Sequence, residues 1–261
     1  KILKKLDDKF DLIVIGSVGG SFINNIINYV KNNKLKTKIA TGYVGLLLNN
    51  NPLAFEKGIE RRFKTDYIWS PGEFFTKKIL QSNYKNNKTI VESTGLPRFD
   101  GLYEKFKLFK KQPKKIILFI EQPTFPKTKK ERILLVHKLN YIAKKMPEYN
   151  LIIKPRFSQK IGHAHRMKFP LSDIVISIKN LSSNLLVSNK DLMKLYSRTK
   201  FAITISSTAG IETMLIGIPT YFINDFCNNK NIYGSSDFKD FNTVINSREI
   251  PETTLPKINY N

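Results

Sequence analysis

The amino-acid sequence predicts an α/β protein built from parallel sheets, and three observations carry that prediction. Short runs rich in β-branched residues, such as "DLIVIG" (11–16), alternate with polar stretches of helical periodicity, which is the pattern of βαβ units. Several of these runs end in Gly, Ser or Thr just before a helical stretch, as "FAITIS" (201–206) does before "TAGIETMLIGIP" (208–219). The alternation also restarts after a lysine-rich interruption. Two αβα domains facing each other across a cleft are therefore expected, with ligands outside the carboxyl ends of the strands.

In the N-terminal half, "DLIVIG" predicts a buried strand, "SVGG" (17–20) a tight turn and "SFINNIINYVKNN" (21–33) an amphipathic helix. "TKIATGYVG" (37–45) repeats the theme, and "TDYIWS" (65–70) and "TIVESTG" (89–95) predict further short strands. "EKFKLFKKQPKK" (104–115) is lysine-rich, weakly patterned and contains Pro113; it predicts a linker, with a domain boundary near residue 112. The first domain then spans 1–112 and the second 113–261. Because the chain runs almost at once from Lys1 into "DLIVIG", the first domain is expected to be truncated.

The second half continues with strand "KKIILFIEQP" (114–123) and helix "KKERILLVHKLNYIAKK" (129–145), whose apolar positions are 133, 134, 136, 139 and 142. Strand "YNLIIKP" (149–155) and a polar loop with "GHAHR" (162–166) follow. After them come strand "SNLLVS", helix "KDLMKLYSRT", strand "FAITIS", helix "TAGIETMLIGIP" and "TYFIND" (220–225), expected as the last strand.

No apolar run approaches the roughly 18 residues of a membrane span, and the start "KILKKLDDKF" lacks the features of a secretory signal. A cytoplasmic protein is expected, with peripheral contact at the inner face of the membrane. The single cysteine, Cys227, excludes an intramolecular disulfide framework and a cysteine-based zinc cluster, and fits a reducing compartment. The 44 Lys and Arg against 21 Asp and Glu give a net charge of +23, a field that attracts polyanions, nucleotides or an anionic membrane. Lysine far outnumbers arginine, as an AT-rich coding genome produces, so much of this charge is a solvated surface.

The run "ITISSTAGIE" (203–212) places Ser206, Ser207 and Thr208 at a strand end where a helix begins, with Glu212 one turn in. Such a terminus offers unpaired N–H groups and the positive end of the helix dipole to an anion, although Ser207 or Thr208 could equally do no more than cap the helix. Gln122, in "EQP", and Lys154 and Arg156, in "KPRF", fall at strand ends on the same predicted edge. The two cations suit a phosphate or carboxylate, or else are ordinary surface charges. His163 and His165 are spaced by two in a loop, a poor metal pattern, and are better read as meeting an anionic group. His137, inside an amphipathic helix, is read as structural. Gly19 and Gly20 in "GSVGG" form a tight strand-to-helix turn that would let a substrate approach the backbone. No Asp-x-Asp motif, Walker loop, Gly-x-Ser-x-Gly elbow or run of zinc ligands is present, so neither a metal site nor a cofactor is expected.

Taken together, "STGLPRFD" (93–100), "KPRF" (154–157) and "SSTAGIETMLIGIPTYFINDF" (206–226) resemble bacterial glycosyltransferases of the two-domain GT-B architecture. Their neighbourhood includes UDP-GlcNAc 2-epimerases, glycerophosphotransferases and capsule-type transferases. More narrowly, the chain is similar to a bacterial glycosyltransferase family known mainly as a domain of unknown function. That likeness rests on "FIEQPTFPKTKKER" (119–132), Lys154-x-Arg156 with "AHR" downstream, "SSTAGIE" and "INDFCNNKNIYGSSDF" (223–238). The serine-rich element also resembles the motif with which bacterial sialyltransferases hold the phosphate of a CMP-sugar. Met167 stands where the family pattern has an acid, and Lys154-Pro155 replaces the sialyltransferase His-Pro pair.

The resemblance implies two Rossmann-like domains, with a nucleotide-sugar donor in the second, a glycan or lipid-linked acceptor on the first, and metal-independent transfer with inversion. On that division, the donor candidates are Gln122, Lys154, Arg156, His163, His165, Ser206, Ser207, Thr208 and Glu212, and the acceptor-side candidates Gly19, Gly20 and Tyr43. Glu73, in "SPGEFF" at a strand end, is the candidate base, or a helix N-terminal acid that favours the dipole. A CMP-activated nonulosonate such as sialic acid is favoured as donor ahead of a UDP-sugar, for a capsule or lipooligosaccharide acceptor. Two rivals are weighed. A nucleotide-sugar 2-epimerase needs several carboxylates around the sugar, which this chain does not obviously supply. A basic nucleic-acid-binding protein has the charge but no basic-aromatic sheet or helix-turn-helix signature, so nucleic acid is not an expected partner.

Overall fold

The computed structural model describes residues 9–16, 21–43, 52–107, 113–123, 125–156, 167–226 and 243–255. The chain divides into two compact units, Lys1–Asp100 and Gly101–Asn261. The first is built from β1 (Leu12–Ile15), α1 (Ser21–Asn32), β2 (Lys38–Thr41), α2 (Pro52–Arg62), β3 (Tyr67–Ser70), α3 (Glu73–Leu80) and β4 (Ile90–Ser93). Its four strands pair in parallel in the order β1-β2-β3-β4. Ile23, Ile26, Ile27 and Val30 form the helical stripe of α1 that packs on Ile13, Ile15 and Ile39, so the periodicity of 21–33 is fulfilled. The helix over 52–62 has no counterpart among the sequence expectations.

The second unit holds α4 (Leu102–Lys107), β5 (Ile116–Ile120), α5 (Lys129–Lys145), β6 (Asn150–Lys154), α6 (Leu171–Ser177) and β7 (Leu185–Val187). It continues with α7 (Leu192–Tyr196), β8 (Thr199–Thr204), α8 (Thr208–Leu215), β9 (Thr220–Ile223) and β10 (Val244–Ile245). The sequence places the boundary near residue 112, in a lysine-rich stretch; the units divide twelve residues earlier because α4 belongs to the second, where Leu102 lies against the core. Two further expectations change. β9 is not the last strand, since β10 pairs in parallel beside it, and α6 occupies a segment that carried no helical reading.

All pairings in the second sheet are parallel, in the order β10-β9-β8-β5-β6-β7. β5 is buried along its whole length, as a strand covered on both faces must be. Ile117 and Phe119 face the α5 and α6 layer, while Ile116, Leu118 and Ile120 face α7 and α8. Chain progression runs from β5 outward to β7 on one side, then returns and runs from β8 to β10 on the other. The topological switch point therefore lies between β5 and β8, where ligands bind in sheets of this kind.

The buried face of α5 comprises Arg132, Leu135, Val136, Leu139, Asn140, Ile142 and Ala143. Leu135 faces the core where the sequence places Leu134, which is exposed, as is His137. A capping box starts this helix: Thr128 Oγ1 accepts from the Glu131 N–H at 3.2 Å, and the Glu131 carboxylate accepts from the Thr128 N–H at 3.0 Å. The Thr128 N–H, and after it the Thr128 hydroxyl, donate to the Glu131 carboxyl and hold it below the usual carboxylate range.

Gly210, in the first turn of α8, sets how closely that helix approaches the sheet. A Cβ there would lie 2.7 Å from Thr204 Cγ2 and 3.0 Å from the Phe222 ring, so a side chain would push α8 off β8 and β9.

Gly210→Ala is expected to lose about 1–3 kcal/mol of stability by overpacking, read as a lowered urea midpoint; an unchanged midpoint would show that the contact yields freely. Glu131→Gln is expected to cost about 0.3–1 kcal/mol at neutral pH and low ionic strength. Because the folded pKa is depressed, this contribution is present above the unfolded carboxylate pKa and is lost as pH falls through the folded value. Denaturation curves of the parent and Glu131→Gln should therefore converge in acid.

Candidate functional site

At the switch point, the carboxyl ends of β5 and β8 are joined by side chains rather than by further backbone pairing. Thr204 Oγ1 donates to Ile120 O at 3.1 Å and accepts from the Ser207 N–H at 3.3 Å. Two residues beyond, Gln122 Nε2 donates to Ser206 Oγ at 2.8 Å, and that hydroxyl lies 2.9 Å from Gln122 Oε1, to which it can donate in return. Gln122 and Ser206 are both buried. The amide and the hydroxyl thus close a clasp across the crevice between the two halves of the sheet.

Gln122 is held from behind by a buried charge pair. Arg132 Nη1 meets Glu121 Oε1 at 2.8 Å, with both side chains almost wholly removed from solvent. Nη2 donates to the carbonyls of Gln122 and Pro123, both at 2.9 Å, and Nε donates to Pro126 O at 2.8 Å. The Leu171 N–H at the start of α6 donates to the same Glu121 oxygen at 2.9 Å. Burial pushes the Glu121 carboxyl up and the Arg132 guanidinium down from their ordinary values, and their mutual attraction opposes both shifts.

The other residues that the sequence suggests for a donor site lie at the ends of β6 and β8 and at the start of α8. Ser207 is the N-cap of α8, its Oγ accepting from the Ala209 N–H at 3.2 Å, so the capping role is filled. Thr208 is the first helical residue and, like Glu212 one turn on, is half-buried. Lys154 ends β6, half-buried, and Arg156 stands exposed two residues beyond it. The fold thus gathers Gln122, Lys154, Arg156, Ser206, Ser207 and Thr208 at one sheet edge. His163 and His165 lie outside the described residues, as do Gly19 and Gly20.

In the first unit, Tyr43 lines a cavity of about 490 Å³ with Val14, Gly16, Gly42, Trp69, Thr94, Gly95 and Pro97, at the carboxyl ends of its strands. The Arg62 guanidinium carbon sits 3.8 Å from the Tyr43 ring centroid, and its Nη2 donates to Gly42 O at 3.2 Å. Burial raises the Tyr43 phenol while Arg62 pulls it down, and burial lowers the Arg62 guanidinium. Glu73 is the exposed first residue of α3, where its charge favours the positive end of the helix; it is not among the residues that line the cavity. Among the described residues no three His, Cys, Asp or Glu side chains are grouped so as to hold a metal ion.

Comparison with known proteins then gives the family. Residues 2–258 match the family described as "Putative glycosyltransferase (DUF6716)". The chain belongs to that family. No curated protein matches it significantly. Among solved structures, it is similar to the UDP-GlcNAc 2-epimerase of Neisseria meningitidis bound to UDP-GlcNAc, at 17% identity and a TM-score of 0.60, over 96% of this chain and 69% of that one. A protein from Listeria monocytogenes described as a "putative UDP-N-acetylglucosamine 2-epimerase" matches at 12% identity and a TM-score of 0.60, over 93% of this chain and 64% of that one. An H444N variant of the wall teichoic acid polymerase TagF matches at 14% identity and a TM-score of 0.53, over 95% and 64%. This family member therefore has the GT-B fold, and it spans about two thirds of the length of the structures it resembles.

Arg132, Glu121, Thr204, Gly210 and Arg62 went unnoticed as individual residues in the sequence. "FIEQPTFPKTKKER" contains both members of the buried pair, but their spacing of eleven signals no pairing, because the connecting loop folds back only in three dimensions. Arg132→Met should leave the Glu121 carboxylate buried without its partner and cost about 3–5 kcal/mol. Chemical denaturation measures this, and a loss below that of an ordinary surface substitution would contradict the structural account.

Proposed function

We propose that the chain is a glycosyltransferase that holds a nucleotide-sugar donor at the carboxyl edge of its second sheet. The observation that carries this reading is the convergence, at the β5/β8 switch point, of the Gln122–Ser206 clasp with the N-terminus of α8. Membership of the glycosyltransferase family supports it. A donor phosphate there would meet the positive end of α8 and the Thr208 hydroxyl, with Lys154 and Arg156 supplying full positive charge. As the bond from the anomeric carbon to the phosphate oxygen breaks, the electron pair leaves on the nucleotide, and these groups stabilise the charge that develops. The acceptor hydroxyl attacks the opposite face of the anomeric carbon, which inverts it, and gives its proton to a base. Glu73 remains the candidate base, and Tyr43, Gly19 and Gly20 the candidates for the acceptor side. His163, His165 and Glu212 complete the donor reading.

The donor class favoured is a CMP-activated nonulosonate, on the likeness of "SSTAGIE" to the sialyltransferase phosphate motif, with a capsule or lipooligosaccharide acceptor at the cytoplasmic membrane face. A UDP-sugar is the second reading, favoured by the Neisseria meningitidis epimerase bound to UDP-GlcNAc.

A thermal-shift panel of CMP, CDP, UDP and GDP tests the donor site. CMP is expected to raise the melting temperature most, and Arg156→Ala to weaken CMP at least tenfold, about the loss of one charge-assisted hydrogen bond. No shift with any nucleotide would remove the proposal, and a shift with UDP alone would move the donor to the second class. Incubation with UDP-GlcNAc in the absence of acceptor, followed by NMR, separates transfer from epimerisation: a C2-epimer signal would reassign the enzyme.

A further inference from the structure

The second unit carries a hollow of about 370 Å³ that is not part of the donor edge. Its floor is Ile116, Ile152 and Leu195, all buried, and its rim is Lys190, Lys194 and Arg198 with Ser188. Lys194 is carried by α7, Lys190 and Arg198 flank its two ends, and all three side chains line the hollow. All three are exposed, and among the described residues none of their side chains has an ion-pair or hydrogen-bonding partner. The one carboxylate on the segment, Asp191, is turned to its own helix, its Oδ1 accepting from the Met193 N–H at 2.8 Å.

The hollow is more than a cluster of charge. The β6/β7 register sets Leu186 beside Ile152 on the same face of the sheet, and Leu186 is 42% exposed. Apolar surface therefore continues from the floor out to the edge strand, beneath a cationic rim. A free inorganic anion would use the rim alone. A phospholipid uses both parts, its phosphate between the cations and its glycerol and first methylenes against the isoleucine and leucine surface.

The geometry points to this rim as a docking surface for an anionic bilayer, with a lipid headgroup phosphate held by Lys190, Lys194 and Arg198. The inference rests on the reading that the acceptor is carried at a membrane face, and it names the surface that meets that face. Each basic side chain near an anionic bilayer strengthens binding about fivefold, and the remaining positive charge of the chain adds only a diffuse attraction that salt screens.

The test is flotation of the full chain with vesicles of phosphatidylcholine alone or of phosphatidylcholine mixed with phosphatidylglycerol. The parent chain is expected to float only with the mixed vesicles. Lys190→Gln/Lys194→Gln/Arg198→Gln should bind them at least about tenfold more weakly, with an unchanged melting temperature because all three side chains are exposed. Lys129→Gln/Lys130→Gln/Lys144→Gln removes the same charge from α5, on the other face of the sheet, and should bind within about twofold of the parent. Equal losses in the two variants, or no flotation of the parent, would overturn the proposal. So would stabilisation of the parent by inorganic phosphate that the first variant lacks, in the absence of flotation, since the hollow would then hold a soluble anion. The nucleotide-induced melting shift of the first variant should equal that of the parent, so a failed donor reading and a failed docking surface give different results.

Discussion

Arg132 is almost wholly buried, yet each nitrogen of its guanidinium is used: one on Glu121, one on Pro126 O, and one shared between the Gln122 and Pro123 carbonyls. Removing both charges from water costs several kcal/mol per ion, and an ion pair alone seldom recovers it. Here the guanidinium also satisfies three carbonyls that would otherwise be buried in a tight loop, and Glu121 accepts from the start of α6. The pair therefore acts as a specifier of geometry more than as a source of stability. It fixes where the chain leaves β5, how α5 begins and where α6 sits, through contacts that only one arrangement of the three segments can make.

The candidate site follows from that arrangement. With the Gln122 carbonyl held by Arg132, the Gln122 amide is directed to Ser206 across the switch point, and Thr204 ties the two strands together one step earlier. Gly210 lets α8 settle onto β8 and β9, which brings its N-terminus to the same edge. The polar groups nearest the sheet are thus occupied with one another and form a rigid base. Thr208 and Lys154, half-buried, and Arg156, exposed, stand at the same carboxyl ends of the sheet.

The architecture was legible in the sequence because parallel strands covered on both faces write themselves as short apolar runs, and β5, β6 and β8 are of that kind. The strand-to-helix run at 206–208 was legible for a similar reason, since small hydroxyl residues between a buried strand and a helix have few other uses. The division of labour within it was not. Ser206 faces Gln122, 84 residues away, and Ser207 caps α8; composition cannot distinguish them, because the difference arises from strand pairing. Likewise β10, only two residues long, is too short to show periodicity, and Leu135 replaces Leu134 on the core face because the buried arginine, not an aliphatic residue, sets the phase of α5.

The same logic gives meaning to the excess of basic residues. Several acidic side chains have structural partners: Glu121 with Arg132, Asp66 with the Ile39 N–H and Lys38, and Asp225 with Ser247 and Lys138. Glu131 and Asp191 are spent on helix N-termini. Asp191, between Lys190 and Lys194, keeps its charge while it caps the helix, so it offsets part of the positive field of that segment, and Lys190, Lys194 and Arg198 outnumber it. A compositional excess of basic residues thereby becomes local, because the fold sets Lys190, Lys194 and Arg198, all exposed, around one hollow with a single carboxylate on their segment.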